Sequence, residues 1–321
     1  GHADARRSGP GSDARRRTAV NLDGVFLPVT TPFDATTGDL DLDAFAANIR
    51  GWCEYPIAGL VVGGSTGEQA LLDEDELMAL LARGARSRGD GMALIAGTGA
   101  ESTRATIRLC DLAAREGADA VLVKPPSYYR GRMSPEAIRT YFLAVADASP
   151  VPVILYHVPK FVPVDVVPEL AGELTRHDNI AGIKDSSGEI HNLGAVCEAV
   201  GERGTVVVGA GTLLYSGLEI GARGGIIAVG LLATGAACEL YRAFMAGRSA
   251  EAGRLQERIG PLHKRVVAGT GVPGVKYGLD QLGMVGGPPR PPLLPPTDRE
   301  REEVVGALER AGLAPGQPQS I

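Results

Sequence analysis

A lysine and a tyrosine stand where two apolar segments of the chain end, and together they could form an imine with a carbonyl compound. Lys184 follows the apolar residues 180–183 and precedes a polar stretch, 185–188. Burying a charged amine is costly, so a lysine at the end of a buried strand is a candidate nucleophile. Tyr156 ends the apolar segment before it, 153–155, and a phenol can transfer protons in such a reaction. The alternative for Lys184 is a stem that lies along the strand while the charge reaches water.

A second lysine and a pair of tyrosines follow the fourth apolar segment. Lys124 is a rival for the imine-forming role. Lys184 is preferred because its strand and the strand of Tyr156 would be neighbours in an alternating strand–helix chain. Tyr128 and Tyr129 could relay protons to such a site, or they could simply pack against apolar neighbours.

A glycine-rich turn with two hydroxyl residues follows the second apolar segment. It runs from Gly63 to Glu68 and includes Ser65, Thr66 and Gly67. Backbone N–H groups and hydroxyls can converge in such a turn on a carboxylate, which makes it a candidate anion site. The alternative is a tight turn in which Glu68 caps the helix that follows.

A repeated unit must position these side chains: a short apolar strand, a turn and an amphipathic helix. Strands that are apolar throughout predict a parallel sheet covered on its outer face. Eight such units favour an α/β fold of the closed (β/α)8 TIM-barrel type, in which functional groups collect at the strand ends. A doubly wound sheet is the alternative, but no strand is followed by a GxGxxG fingerprint. The predicted strands are 24–29, 59–62, 93–96, 120–123, 153–156, 180–184, 205–208 and 225–229.

The chain divides into three predicted parts. Residues 1–20 form a disordered tail with a tag remnant, because arginines there lie among small polar residues without apolar periodicity. A basic binding arm is the alternative for this segment. Residues 21–235 form the barrel, and residues 236–315 form a C-terminal helical extension beyond what a minimal barrel needs.

Composition excludes several classes of function. The 321 residues carry a formal net charge of −6, which gives no sign of binding to nucleic acid or to an anionic membrane surface. No apolar run reaches the roughly 18 residues of a membrane helix. The four cysteines are far apart without a CxxC, and the five histidines show no HxxxH or HxH spacing. We therefore predict reduced thiols, no metal centre and a cytoplasmic location.

Four motifs in this order and with these gaps resemble the dihydrodipicolinate synthase / N-acetylneuraminate lyase family of class I aldolases. The resemblance covers residues from about 24 to about 313. It implies a (β/α)8 barrel with a C-terminal helical extension, commonly assembled as a homotetramer, and a lysine that forms an imine with pyruvate or another 2-oxo acid. The motifs are Gly64-Ser65-Thr66-Gly67-Glu68, Tyr128-Tyr129, Tyr156-x-Val158-Pro159 and Gly182-Ile183-Lys184-Asp185.

The resemblance also implies roles for individual residues, with no organic cofactor or metal. Lys184 forms the imine, and Tyr156 acts as general base with help from a hydroxyl relay through Thr66 to Tyr129. The remaining predicted substrate-binding residues comprise the glycine-rich turn, a serine after Lys184 that either touches the substrate or caps its loop, and one residue of the last strand. In order, they are Ser65, Thr66, Gly67, Ser186 and Ile227.

Within the family, the likeness is greatest to 4-hydroxy-2-oxoglutarate aldolase. It rests on residues 127–134, on 184–188 and on the stretch that begins at Gly286. Dihydrodipicolinate synthases usually carry an arginine for the aldehyde's carboxylate where this chain has Phe161. The residue after Tyr156 is His157, and adjacent residues of an extended chain point to opposite sides. We therefore predict that His157 faces away from the site and that the aldehyde half of the substrate differs from known members.

The predicted function is a class I lyase that cleaves a 4-hydroxy-2-oxo acid to pyruvate and an aldehyde, glyoxylate in the case of 4-hydroxy-2-oxoglutarate. Condensation of the dihydrodipicolinate synthase type and dehydration of a sugar acid are alternatives that keep the imine. A non-catalytic barrel that binds a 2-oxo acid is an alternative of a different class. The predicted partners are therefore a small 2-oxo acid and further copies of the same chain.

Overall fold

Eight parallel strands close into a barrel in the computed structural model, which describes residues 20–313. Each strand pairs with the next along the chain, and the last pairs with the first. The predicted (β/α)8 barrel is confirmed. The predicted tail, 1–20, lies outside the described residues except for Val20. The strands are β1 Gly24–Pro28, β2 Gly59–Val62, β3 Ala93–Gly97, β4 Ala120–Val123, β5 Val153–His157, β6 Ile180–Asp185, β7 Thr205–Val208 and β8 Gly224–Ile226.

Helices cover the outer face of the barrel, and polar side chains fix where several of them begin. Asp41, Asp73, Ser102 and Ser134 each accept a hydrogen bond from a backbone N–H group of the first turn, which satisfies a donor that the helix leaves free. The helices are α1 Leu42–Trp52, α2 Glu74–Ser87, α3 Thr103–Arg115, α4 Pro135–Ala148, α5 Pro168–Leu174, α6 Ile190–Val200, α7 Leu214–Glu219 and α8 Val229–Leu232.

The C-terminal helices pack on the barrel next to the mouth formed by the strand ends. They are α9 Thr234–Met245, α10 Ser249–Leu262, α11 Gly271–Gln281 and α12 Asp298–Arg310, with a π-helical segment, His263–Thr270, between α10 and α11. The chain widens into the π-helix soon after Pro261, a residue that cannot donate a helical hydrogen bond. The domain boundary at 235/236 stays a prediction.

An extra residue in β6 sets the alignment of β5 and β6. Val153 pairs with Ile180, whereas the next residue of β5 pairs with Gly182, so Ala181 has no partner. This bulge brings Tyr156 opposite Lys184. Only glycine fits after the bulge, because a Cβ atom at Gly182 would lie 1.9 Å from the Thr205 carbonyl oxygen of β7.

The last strand is shorter than the predicted 225–229. It ends at Ile226, and helix α8 begins at Val229. Ile227 lies between the two and donates its N–H to the carbonyl of Phe26. The extent predicted for this strand was wrong because a short apolar run has no period that separates a buried strand from the start of a buried helix.

Within residues 20–313, no helix combines the length and the apolar character that crossing a bilayer requires. The same residues contain no group of three or more His, Cys, Asp and Glu side chains that could hold a metal ion. All four cysteines are free thiols.

Candidate active site

Lys184 and Tyr156 lie side by side at the carboxyl ends of β6 and β5. The Lys184 amine is 4.3 Å from the centre of the Tyr156 ring, and the two residues are only 4% and 6% exposed. Both line a cavity of about 610 Å³ at the mouth of the barrel. The expected juxtaposition of the two side chains is present, and the cavity has room for a small carbonyl compound.

The environment of the Tyr156 hydroxyl favours loss of its proton. Burial alone would raise the pKa of this phenol, but the nearby charge of Lys184 and hydrogen bonds from Ser65 and Ser186 outweigh burial and leave the pKa below its usual value. The Ser65 hydroxyl lies 3.3 Å from the Tyr156 oxygen. A phenol that ionises more easily is better suited to remove a proton from a substrate.

The hydroxyl that meets Tyr156 belongs to Ser65 and not to Thr66, which differs from the predicted relay. Thr66 lines the same cavity, but in residues 20–313 no hydrogen bond joins its hydroxyl to Tyr156. In a tight turn, adjacent residues point in different directions, and the sequence alone does not show which of two neighbouring hydroxyls faces the tyrosine.

A matched pair of substitutions tests this assignment. We expect Ser65→Ala to lower kcat by about tenfold to a hundredfold, because it removes the group that hydrogen bonds to the phenol. Thr66→Val should change kcat far less. Steady-state kinetics on both variants provide the measurement. A larger loss of kcat in the Thr66 variant would instead support the predicted relay through Thr66.

The glycine-rich turn keeps two backbone donors free for a ligand. The N–H groups of Gly67 and Glu68 donate to carbonyls within the turn, whereas those of Ser65 and Thr66 make no backbone hydrogen bond in the described part of the chain. Both of these residues line the cavity, so their N–H groups suit a substrate carboxylate. Gly67 instead packs against the barrel, where an added Cβ atom would lie 2.9 Å from the carbonyl oxygen of Val29.

Ser186 and Ile227, the predicted substrate-binding residues of the later strands, differ in whether they line the cavity. Ser186 lines the cavity together with Ser187, as expected for a side chain that touches the substrate. The Ile227 side chain is fully buried in the core, and the cavity is lined instead by its neighbours Ile226 and Ala228. The prediction for Ile227 fails because successive residues of an extended chain face opposite sides.

Tyr129 does not approach Tyr156 within one chain. It is 71% exposed and its neighbour Tyr128 is 80% exposed, and their rings meet edge to face 5.1 Å apart. The predicted relay to Tyr129 is therefore not formed inside a single chain. Lys124, the rival lysine, forms an ion pair of 2.9 Å with Glu101 and does not line the cavity that holds Lys184.

His157 faces away from the mouth, as predicted, and lies between two carboxylates. Its Nδ1 atom is 3.4 Å from Asp185 and its Nε2 atom is 3.5 Å from Asp165. Burial lowers the pKa of His157, but the two carboxylates outweigh burial and leave the pKa above 6.5. Burial raises the pKa of Asp185, but His157 and the Ser187 N–H outweigh it, so this pKa lies below 3.8. When its ring is protonated, His157 at the end of β5 forms an ion pair with Asp185 at the end of β6.

The His157 ion pair should make stability depend on pH. The raised pKa of His157 means that its contribution is complete below pH 6.5 and is lost as the pH rises through the folded-state value. The lowered pKa of Asp185 preserves the pair until the pH falls below 3.8. We expect His157→Asn to lower the free energy of unfolding by about 1 kcal/mol near pH 5.5 and by much less near pH 9.

Urea denaturation at the two pH values provides the measurement. His177→Asn is the control, because His177 pairs with the largely exposed Asp147 and an exposed pair contributes little. An equal loss of stability by His157→Asn at both pH values would show that the imidazolium has no such role.

The C-terminal helices supply side chains of the cavity that the sequence did not reveal. His263 lines the cavity, and its Nδ1 atom accepts a hydrogen bond of 3.2 Å from the Gly211 N–H, which places its proton on Nε2. Burial and the charge of Lys160 lower the pKa of His263 to about 4, so the ring is neutral at pH 7. Lys160 also lines the cavity and donates to the Ala268 carbonyl. No sequence motif marks either residue.

The site combines a lysine packed on a phenol with free N–H donors for a carboxylate, at the mouth of a closed (β/α)8 barrel. This arrangement is that of a Schiff-base aldolase. Comparison with known proteins agrees with this class. Residues 21–311 match the model of the dihydrodipicolinate synthetase family, and the chain belongs to this family of pyruvate-dependent lyases and synthases. The family predicted from the motifs is thereby confirmed.

Individual relatives match over nearly their whole length. The chain is 32% identical to a 4-hydroxy-tetrahydrodipicolinate synthase of Exiguobacterium sp., over 89% of this chain and 97% of that protein. It is also 32% identical to the synthase of Pseudomonas aeruginosa, over 90% and 98%. A crystal structure of dihydrodipicolinate synthase from Acinetobacter baumannii complexed with pyruvate superposes with a TM-score of 0.86 at 29% identity, over 91% and 100% of the two chains.

A second solved structure with pyruvate is also similar. YagE, a prophage protein of E. coli K12 that belongs to the same family, superposes with a TM-score of 0.86 at 27% identity, over 92% of this chain and 100% of YagE. Both of these solved structures are complexes with pyruvate.

Proposed function

We propose that the protein makes or breaks a carbon–carbon bond between pyruvate and an aldehyde through an imine on Lys184. The observation that carries the proposal is the contact between the Lys184 amine and the Tyr156 ring in the cavity lined by Ser65 and Thr66. An amine, a proton-transferring phenol and donors for a carboxylate are the groups that this chemistry requires.

The geometry suggests how a 2-oxo acid is held and activated. The N–H groups of Ser65 and Thr66 bind the C1 carboxylate, which fixes the C2 ketone for attack by Lys184. Attack and loss of water give an imine, which withdraws electrons from C3 once it is protonated. The Ser65 hydroxyl holds the phenol of Tyr156 at the position from which it exchanges protons with the substrate.

In the direction of cleavage, Tyr156 removes the proton of the C4 hydroxyl and the C3–C4 bond breaks. The aldehyde leaves, and the electron pair of that bond remains on C3 as an enamine. Protonation of C3 and hydrolysis then release pyruvate and regenerate the Lys184 amine. In the direction of condensation, the same steps run in reverse, and the enamine of pyruvate attacks the aldehyde.

Condensation is the candidate that the comparisons favour. The relatives described above are named 4-hydroxy-tetrahydrodipicolinate synthase and match over almost their whole length. The chain retains the lysine, the tyrosine and the hydroxyl turn that such a condensation requires.

Cleavage of a 4-hydroxy-2-oxo acid is the second candidate, and the side chain of Phe161 favours it. Phe161 is 56% exposed and lines the cavity. It stands at the position where the family resemblance leads us to expect an arginine that binds the aldehyde's carboxylate. A phenyl ring cannot pair with a carboxylate, so the aldehyde half of the substrate differs from that of a synthase with the arginine.

Two measurements test the proposal. Borohydride reduction in the presence of pyruvate, followed by intact mass and peptide mapping, should show one covalent adduct on Lys184. Product analysis then separates the candidates: pyruvate released from a panel of 4-hydroxy-2-oxo acids, including 4-hydroxy-2-oxoglutarate, supports cleavage, and consumption of pyruvate with an added aldehyde supports condensation. Loss of water without bond cleavage would identify a dehydratase, and the absence of an adduct would contradict the imine.

A cytoplasmic homo-oligomer is part of the proposal. Because Tyr129 is exposed and does not reach Tyr156 of its own chain, it can take part in the reaction only at the site of a second copy. Tyr129→Phe and Lys184→Ala chains that are each poorly active should then regain activity when they are unfolded and refolded together. If the refolded mixture gains no activity, Tyr129 does not act at the site of a second copy and serves only in packing.

A further inference from the structure

A lysine of the C-terminal helices, Lys276, reaches the loops that follow β1 and β2 and is completely buried there. The Lys276 amine donates to a Glu68 carboxylate oxygen at 2.7 Å, to the Thr31 carbonyl at 2.8 Å and to the Pro288 carbonyl at 2.7 Å. Both charged side chains of the pair are 0% exposed. An ammonium group has three donors, and all three of Lys276 are used.

The partner carboxylate is held from both sides by the C-terminal part of the chain. The second carboxylate oxygen of Glu68 accepts a hydrogen bond of 2.8 Å from the backbone N–H of Arg290. The guanidinium group of Arg290 bonds in turn to Glu76 of α2 and to the Gly38 carbonyl. Glu68 is therefore tied to two residues that follow it by more than 200 positions in the chain.

Glu68 is also the residue whose backbone needs such support. With a φ of 59° it is the one non-glycine residue with positive φ among residues 20–313, and a side chain makes this left-handed conformation unfavourable. Such conformations persist where the surroundings fix them. Glu68 ends the turn that carries Ser65 and Thr66, so its conformation determines where the N–H groups and the Ser65 hydroxyl point.

We propose that Lys276 is a positioning residue for the anion-binding turn, Gly63 to Glu68, and that the C-terminal helices hold this turn in its substrate-binding conformation through the Lys276–Glu68 pair. The inference rests on the proposed function, because it assigns the turn to the carboxylate of the 2-oxo acid. Neither residue of the pair lines the cavity that holds Lys184, so Lys276 acts through Glu68 and not by contact with the substrate.

The proposal predicts an effect on pyruvate binding that ordinary loss of stability does not produce. Without the ion pair, Glu68 can relax to a negative φ and carry the donors of Ser65 and Thr66 away from the carboxylate. We expect Lys276→Met to raise the pyruvate concentration that half-saturates borohydride trapping by about tenfold or more, since small misplacements of binding groups have large effects.

The matched control is Leu308→Ala. Leu308 is buried in α12 of the same helical layer and takes no part in the hydrogen bonds of Lys276 and Glu68, so this variant loses stability without removing the ion pair. Trapping is measured for both variants at a temperature at which circular dichroism shows each to be fully folded. The half-saturating concentration of the control should stay within about twofold of the wild type, because distant sites act independently.

Each outcome decides the matter. Trapping of Lys276→Met at wild-type concentrations of pyruvate, or an equal loss of trapping in Leu308→Ala, would overturn the positioning role. If Lys276→Met does not fold, the double variant E68Q/K276M replaces it, because it lacks the tether without leaving an unpaired buried charge. A wild-type protein that pyruvate and borohydride do not modify would instead refute the proposed function, and this inference with it.

Discussion

Replacing Lys184 with alanine will abolish the covalent trapping of pyruvate by borohydride and lower kcat/KM by at least about 10⁴-fold, because it removes the amine that forms the imine with the substrate. The substitution removes a buried amine that packs on the Tyr156 ring and leaves the rest of the cavity in place. Intact mass after reduction and steady-state kinetics provide the two measurements.

Lys124→Ala is the control for this prediction. Lys124 also follows a strand of the barrel, but its amine pairs with Glu101, so the variant should still be trapped on Lys184. If Lys184→Ala keeps the adduct and Lys124→Ala loses it, Lys124 and not Lys184 is the nucleophile.

Replacing Tyr156 with phenylalanine will lower kcat by about 10²- to 10³-fold, the range expected when a general acid–base group is removed. The ring that packs against Lys184 is preserved, so the lysine keeps its position and trapping of pyruvate continues, although more slowly. The hydroxyl that meets Ser65 at 3.3 Å is lost. Steady-state kinetics and the time course of trapping separate the two effects.

Tyr141→Phe is a matched control, because Tyr141 is also buried and its hydroxyl lies 2.9 Å from a hydroxyl of the neighbouring helix, that of Thr106. This control should lose some stability and keep a kcat close to that of the wild type. If Tyr156→Phe has the kinetics of Tyr141→Phe, the phenol of Tyr156 does not transfer protons.

Much of the barrel could be predicted because its strands are buried on both faces and are therefore apolar throughout. Seven predicted strands agree with the structure to within one residue at each end. The eighth was extended by three residues, because the apolar run continues from β8 into α8. Helix starts were predictable where a polar capping residue marks them, as at Ser134.

The neighbouring positions of Lys184 and Tyr156 followed from strand order, since consecutive strands of a barrel lie side by side. The choice between Ser65 and Thr66 did not follow, because the direction of a hydroxyl in a turn depends on backbone angles. The exposure of Tyr129 could not be seen either, because the same aromatic pair is compatible with packing inside the chain.

The pairing of Glu68 with Lys276 had no signal in the sequence. The sequence offered a role for Glu68 only in the alternative of a tight turn in which it caps the next helix, and Lys276 lies in a helix of ordinary composition. Their contact depends on how the C-terminal helices close over the barrel, and local periodicity does not determine this packing.

The unpaired residue of β6 has a consequence for anyone who wishes to move this chemistry to another scaffold. If Ala181 instead took a regular place in the ladder opposite Ile154, Lys184 would shift to the place opposite His157 and turn toward the outer helices, since a one-residue slip exchanges the two faces of a strand. A transplanted catalytic lysine therefore needs either the bulge or a position one residue nearer the start of its strand, as well as its partner side chains.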